Sequence, residues 1–108
     1  MKQGSIYVLD LSPVTGNEQD GNRPVLVVSN NEYNKVSRNA LIVPITHGGG
    51  FADRIGYALP LPAGLNTTGF ILCHQSRTVD LKARRGRFVE TIPSDVLEEA
   101  IERILSIF

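Results

Sequence analysis

Arg23-Pro24-Val25-Leu26-Val27-Val28-Ser29 decides the fold. Its four consecutive apolar residues leave no polar face, so they form a strand covered on both sides and lying inside a sheet. On the N-terminal side, Ser5-Ile6-Tyr7-Val8-Leu9-Asp10-Leu11 is apolar and β-rich, a first strand. Between the two runs Ser12-Pro13-Val14-Thr15-Gly16-Asn17-Glu18-Gln19-Asp20-Gly21-Asn22, a polar loop longer than a hairpin connection needs. On the C-terminal side, Asn30 and Asn31 cap a short helical turn through Val36. Ala40 to Thr46 is the next strand, in which Pro44 marks an edge, a bulge or the exit because it cannot donate to a ladder. His47-Gly48-Gly49-Gly50-Phe51 follows as a loop of high backbone freedom.

Gly56 to Leu61, Thr68 to Cys73 and Arg87 to Ile92 read as further short strands. Pro93-Ser94-Asp95 starts a helix, with Ser94 as N-cap and acidic residues favourable in the first turns. Val96, Leu97, Ile101, Ile104, Leu105 and Phe108 form one apolar stripe along it. Short strands ending in one helix predict an α+β, mostly β fold: a small, curled, barrel-like antiparallel sheet closed by the helix.

The chain has 108 residues, room for a single domain over 1–108, and its 11 basic and 11 acidic residues cancel. Neutrality excludes a generally basic RNA-coating protein and an acidic disordered tail. The zero is uneven. Arg77, Lys82, Arg84, Arg85 and Arg87 face only Asp80 in their segment, whereas Glu90, Asp95, Glu98, Glu99 and Glu102 face only Arg103. The two runs either pair with each other, sit solvated, or present a basic surface to phosphates. The lone Cys73 predicts a reducing, cytoplasmic setting, and neither a bilayer-spanning run nor a signal-peptide core is present in the sequence.

Much chemistry is missing. The sequence holds no phosphate loop followed by lysine and no nucleophile elbow. Cys73, His47 and His74 lack zinc-motif spacing, so no metal or other cofactor is assigned. What remains is arginine, histidine, glutamate, threonine and backbone groups. That inventory suits metal-free phosphodiester cleavage, where positioning and charge stabilisation do most of the work.

Asn17-Glu18-Gln19-Asp20-Gly21-Asn22-Arg23-Pro24-Val25 resembles the signature of the MazF/PemK (Kid) toxin family. Matching features continue in order through Val43-Pro44-Ile45-Thr46, Gly48-Gly49, Phe51-Ala52 and Thr67-Thr68-Gly69. Cys73, Gln75, Arg77-Thr78, Asp80 and Lys82-Ala83-Arg84 complete them, covering essentially the whole chain, with the PemK/Kid branch most similar. The resemblance implies a dimeric SH3-like small barrel that cleaves single-stranded RNA at short sequences, independently of the ribosome and without a metal. It also implies an antitoxin partner with an acidic or disordered segment. In such an enzyme the 2′-hydroxyl attacks the adjacent phosphate, leaving a 2′,3′-cyclic phosphate and a 5′-hydroxyl.

The resemblance places Arg23 on the family's phosphate-stabilising arginine, where the alternative is a surface or interface ion pair. Thr46 falls on a catalytic-site threonine, where the alternative is a local strand-end cap. Glu18 is close enough along the loop to act as a base or orient Arg23, or else is a solvated carboxylate. Three departures stand out: Asn17 replaces the branch's usual histidine, Leu72 an arginine and His74 an aspartate. His74 is therefore the candidate general base or acid, the alternative being stacking or packing at a dimer interface. Asn17, Gln19, His47 and Gln75 are candidate RNA contacts, and Phe51 a candidate base-stacking residue or loop anchor. Arg77, Lys82, Arg84 and Arg85 are a candidate phosphate track that also suits an acidic antitoxin. Cys73 reads as a small apolar core residue. Two other functions compete: a degenerate relative that binds RNA or antitoxin without cutting, and a gyrase-binding toxin of the related CcdB fold. The second depends on a C-terminal tryptophan, and this chain has none.

Overall fold

In a computed structural model of the chain, which describes residues 2–11, 21–47 and 56–108, the central strand β2 (Asn22–Val27) is buried on both faces as its sequence requires. Val25 and Val27 pack to one side with Leu9, Ala40, Ile42, Val79 and Leu81. Leu26 and Val28 pack to the other with Ile6, Val43, Ile45, Ile71 and Cys73. Each fully buried side chain of this size contributes roughly 1.5–3 kcal/mol, so this strand's two faces tie two cores into one sheet.

β2 lies between β1 (Ser5–Asp10) and β3 (Ala40–Thr46), antiparallel to both. On its far side β3 pairs β6 (Arg77–Val79) through its first half and β5 (Phe70–Leu72) through its end. β4 (Ala58–Pro60) pairs β5, and β7 (Arg87–Thr91) pairs β1 with a bulge between Ile6 and Tyr7. The sheet order is therefore β4-β5-β3-β2-β1-β7, with β6 beside β3. β4 and β7 are the ends of this path, so the expected antiparallel class holds but the ladder does not close into a barrel. β6 was not anticipated from the sequence: Arg77-Thr78-Val79 is three residues long and carries only one buried side chain. Pro44 sits inside β3 opposite Val25, rather than at the strand's exit.

Helix α1 (Asn31–Ser37) begins as expected, with the Asn30 side chain accepting the Tyr33 N–H at 2.8 Å. Its buried Asn34 hydrogen-bonds Ser29, whose hydroxyl also accepts the Leu41 N–H at 2.9 Å. That small network ties α1 to β3. Helix α2 (Ser94–Leu105) closes the first core with buried Ala100 and Ile104 and with partly buried Val96, Leu97 and Ile101. Two details differ from the sequence reading. The capping residue is Pro93, whose extended backbone precedes the helix without a side-chain bond, so Ser94 is already helical. Leu105 and Phe108 fit the spacing but are 61% and 95% exposed, because the helix ends at Leu105. Among the described residues no helix is long and apolar enough to cross a membrane.

Among the described residues one carboxylate reaches from an end of the sheet path, β7, to the β4–β5 loop. The Glu90 carboxylate, on β7, accepts the Asn66 N–H at 3.0 Å and the Thr67 N–H and hydroxyl, each at 2.7 Å, in the β4–β5 loop. The Asn66 bond above all holds this carboxyl below its ordinary value; the Thr67 bonds add to it and partial desolvation opposes it. The folded state thus binds this proton less tightly than the unfolded chain does. The contribution is complete above the unfolded value of 4.5 and is lost as pH falls through the lowered folded one. The urea midpoints of wild type and Glu90→Gln should accordingly differ most near neutrality and converge in acid. A gap that stays constant with pH would assign the stabilisation to something other than this carboxylate.

Candidate functional site

Strand alternation builds the site. Arg23 is two residues before Val25, and Thr46 two after Pro44, so both fall on the face of the second core. Carrying the Val25–Pro44 register two residues further sets Arg23 opposite Thr46, beyond the point where the apolar packing stops. Leu9, the partner of Arg23 across β1, is buried beneath. A cleft of about 430 Å³ opens there, lined by Leu11, Arg23, Pro44, Ile45, Thr46, Leu72, Gln75, Ser76 and Arg77.

Four sequence-predicted residues thus converge: Arg23, Thr46, Gln75 and Arg77. Neither guanidinium is ion-paired among the described residues, which leaves two cations and a hydroxyl facing one concavity. Such a group matches a phosphodiester, whose oxygens accept from arginine forks and hydroxyls. Leu72 stands at a position the resemblance had marked, whereas Leu11, Pro44, Ile45 and Ser76 were not anticipated as wall residues. Only the three-dimensional register brings them in.

His74 lies behind the wall. Its Nε2 is 3.3 Å from the Gln75 side-chain nitrogen, and its ring tilts against Tyr57 at 6.3 Å between centroids. Its Nδ1 is buried with no partner among the described residues. Arg103 on α2 donates to the carbonyls of Gly56 and Ala58, at 3.1 and 3.5 Å, fixing the segment that carries Tyr57. Neighbouring Cys73 is fully buried, and burial above all pushes its thiol up to about 11, with Arg103 opposing. A neutral thiol at neutral pH is no nucleophile.

The basic run lies apart from the cleft except for Arg77. Asp10, Ala83, Arg84 and Arg85 line a separate depression of about 510 Å³. Arg84 donates to the Asp10 carbonyl at 3.2 Å, and the Asp80 carboxylate accepts the N–H groups of Lys82 and Ala83 at 3.0 and 3.1 Å. Among the described residues the basic run and the acidic helix do not pair with each other. The one ion pair there is Arg103–Glu99, within α2 at 2.7 Å.

Next to Thr46 in the chain but not among the residues lining the cleft, His47 sets its Nε2 3.0 Å from Thr68 Oγ1. Gly69 presses so closely on β3 that an added Cβ would lie 2.4 Å from the Thr46 carbonyl oxygen. Sequence reasoning missed the part played by Thr67, Thr68 and Glu90, although Thr67-Thr68-Gly69 carried a family match. Asn17, Glu18, Gln19 and Phe51 lie outside the described residues. Among the described residues no group of three or more His, Cys, Asp or Glu side chains could hold a metal ion.

Comparison with known proteins gives one consistent answer. A family model described as PemK-like, MazF-like toxin of type II toxin-antitoxin system matches residues 2–108. Endoribonuclease PemK of Escherichia coli is 42% identical over 108 residues, covering 99% of this chain and 81% of the relative. Endoribonuclease toxin ChpB of Escherichia coli K12 is 34% identical, covering 98% and 92%. Among solved structures, MazF from Deinococcus radiodurans superposes with a TM-score of 0.83 at 31% identity, covering 99% of this chain and 94% of that one. A MazE-MazF structure from the same organism gives 0.86 with the same coverage.

Proposed function

The chain belongs to the PemK-like, MazF-like toxins of type II toxin–antitoxin systems, and from that premise we propose how its cleft cuts RNA. It is an endoribonuclease toxin, and its substrate is single-stranded RNA. The observation that carries the site assignment is the convergence of Arg23, Thr46, Gln75 and Arg77 on one cleft.

In the proposed reaction the 2′-oxygen attacks the adjacent phosphorus, the new P–O2′ bond forms and the P–O5′ bond breaks. The 2′-proton passes to a base, and the departing 5′-oxygen takes a proton from an acid. Arg23 meets the charge gathering on the equatorial phosphoryl oxygens, and Thr46 donates its hydroxyl to the same group. Gln75 reads a base edge, and Arg77 holds a flanking phosphate. His74 exchanges one of the two protons, reached through a shift of Gln75, with Glu18 as the second acid–base group. Asn17, Gln19, His47 and Phe51 belong to the same RNA-binding surface, and Lys82, Arg84 and Arg85 extend it outward. No cofactor enters this scheme. The enzyme works in the cytoplasm as a homodimer, neutralised by an antitoxin whose acidic segment uses the basic face. MazE–MazF complexes of relatives support that partner.

Purified protein and mixed-sequence RNA in EDTA should yield fragments with 5′-hydroxyl and 2′,3′-cyclic phosphate ends. Loss of cutting in EDTA would overturn the metal-free scheme. His74→Ala should lower the cleavage rate roughly 10²–10⁴-fold, the usual worth of general acid–base catalysis; full activity would remove His74 from the chemistry. A second reading, RNA or antitoxin binding without cleavage, draws on apolar Leu72 in the wall and on the recessed position of His74. Retained RNA binding with no fragments would favour it.

A further inference from the structure

We propose that Glu90 is a positioning residue: from the far edge of the sheet it fixes the 66–69 segment that abuts Thr46 at the cleft and meets neighbouring His47. Glu90 itself does not line the cleft. Its reach is indirect and runs through four consecutive residues. The carboxylate takes the backbone N–H groups of Asn66 and Thr67 and the Thr67 hydroxyl, so three donors converge on two oxygens. Thr68, next in the chain, sets its hydroxyl 3.0 Å from His47 Nε2. Gly69 follows, lying against the Thr46 carbonyl, while its own carbonyl accepts the Leu61 N–H at 3.0 Å. Thr46 then pairs with Phe70 at the start of β5.

Geometry makes this chain of contacts consequential. The β3–β5 ladder is only two residue pairs long, Ile45–Ile71 and Thr46–Phe70, so the end of β3 has little backbone pairing on that side. Among the described residues the 66–69 segment abuts Thr46 at the end of that ladder through Gly69, and meets His47 just beyond it through the Thr68 hydroxyl. That segment is in turn anchored across an open seam by a charged acceptor, whose bonds are stronger than neutral ones. Removing the anchor loosens Thr46 and His47 without touching the cleft. Small displacements of positioned groups carry large rate penalties.

The role rests on reading the cleft as the RNA-cleaving site, and a test in two arms lets the two claims fail separately. The first arm uses no RNA. The ring nitrogen and carbon NMR signals of His47 are compared in wild type, Glu90→Gln and Thr68→Val. Both variants should move them toward those of an unbonded, solvent-exposed imidazole. The second arm measures single-turnover RNA cleavage. Glu90→Gln should slow the maximal rate about tenfold with a smaller change in the half-saturating RNA concentration. Glu90→Asp should recover part of the loss. Combining Glu90→Gln with Thr68→Val should be no slower than the slower single variant, because both break one chain of contacts.

Unchanged His47 signals in Glu90→Gln, with only a lower unfolding temperature, would overturn the role and leave Glu90 a structural clasp. Additive losses in the double variant would overturn it as well. A shift of the His47 signals in a protein that cuts no RNA would sustain the positioning role while defeating the cleavage reading. Should Glu90→Gln fail to fold, Thr67→Val deletes one of the three bonds and should give the same changes at smaller amplitude.

Discussion

Arg23→Ala should abolish most RNA cleavage while leaving the fold intact. The side chain is exposed on β2 and projects past the second core, so its loss opens no cavity. Exposed substitutions of this kind stay within about 0.5 kcal/mol of wild-type stability. The activity loss has a different scale. Arg23 and Thr46 line the same cleft, where the proposed reaction would gather negative charge on the phosphoryl group. Deleting one preorganised donor to such a charge costs roughly 10²–10³ in rate. Arg23→Lys keeps the charge but gives up the planar fork, so it should fall between. The check is single-turnover cleavage of an end-labelled RNA, with thermal unfolding in parallel. Wild-type cutting by Arg23→Ala would show that the chemistry takes place outside this cleft.

Gly69→Ala should be the most damaging single methyl in the described structure. Gly69 has a φ of +123°, and a Cβ there would stand 2.4 Å from the Thr46 carbonyl oxygen and 3.0 Å from its carbon. Both obstacles are backbone, which cannot swing away as a side chain can. The strained dihedral costs about 1–3 kcal/mol, and forced repacking adds about 1–3 kcal/mol. For a domain of this size each kcal/mol lowers the unfolding midpoint by roughly 4–8 °C. Gly64→Ala provides the comparison. Its φ is also positive, at +100°, but nothing lies within 4 Å of the added carbon, so only the dihedral cost remains. If Gly69→Ala unfolds no earlier than Gly64→Ala, the contact with Thr46 is not what requires glycine. If it folds, it should also cut RNA slowly, because Thr46 is the atom-bearing neighbour that must move.

The sequence was most legible where one pattern had one structural solution. Val25 to Val28 could only be a strand buried on both faces, whereas that Arg23 and Thr46 share a face follows only from the β2–β3 register. Asn30 was legible as a cap because its side chain bonds locally, three residues away. Legibility failed where the deciding partner is distant. Glu90 meets Thr67 across 23 residues, and no local pattern in either segment announces the meeting. β6 was hidden because Arg77 and Thr78 are exposed, so pairing with β3, not hydrophobic alternation, makes it a strand. Leu105 and Phe108 had the right spacing, but spacing does not say where a helix stops. At the site, the arginines and Thr46 could be named from chemistry, whereas Leu11 and Leu72 are ordinary apolar residues until the sheet curls around them.

The cleft is assembled from residues scattered between Leu11 and Arg77, on four strands and the stretches that follow β1 and precede β6. A ribosome making this protein therefore carries no complete site until Arg77 has left the exit tunnel. Even then β1 still lacks β7, its second neighbour. Non-local pairings of this kind form late and slowly compared with helices. A nascent chain that has exposed only the residues before Arg77 should therefore cut no RNA.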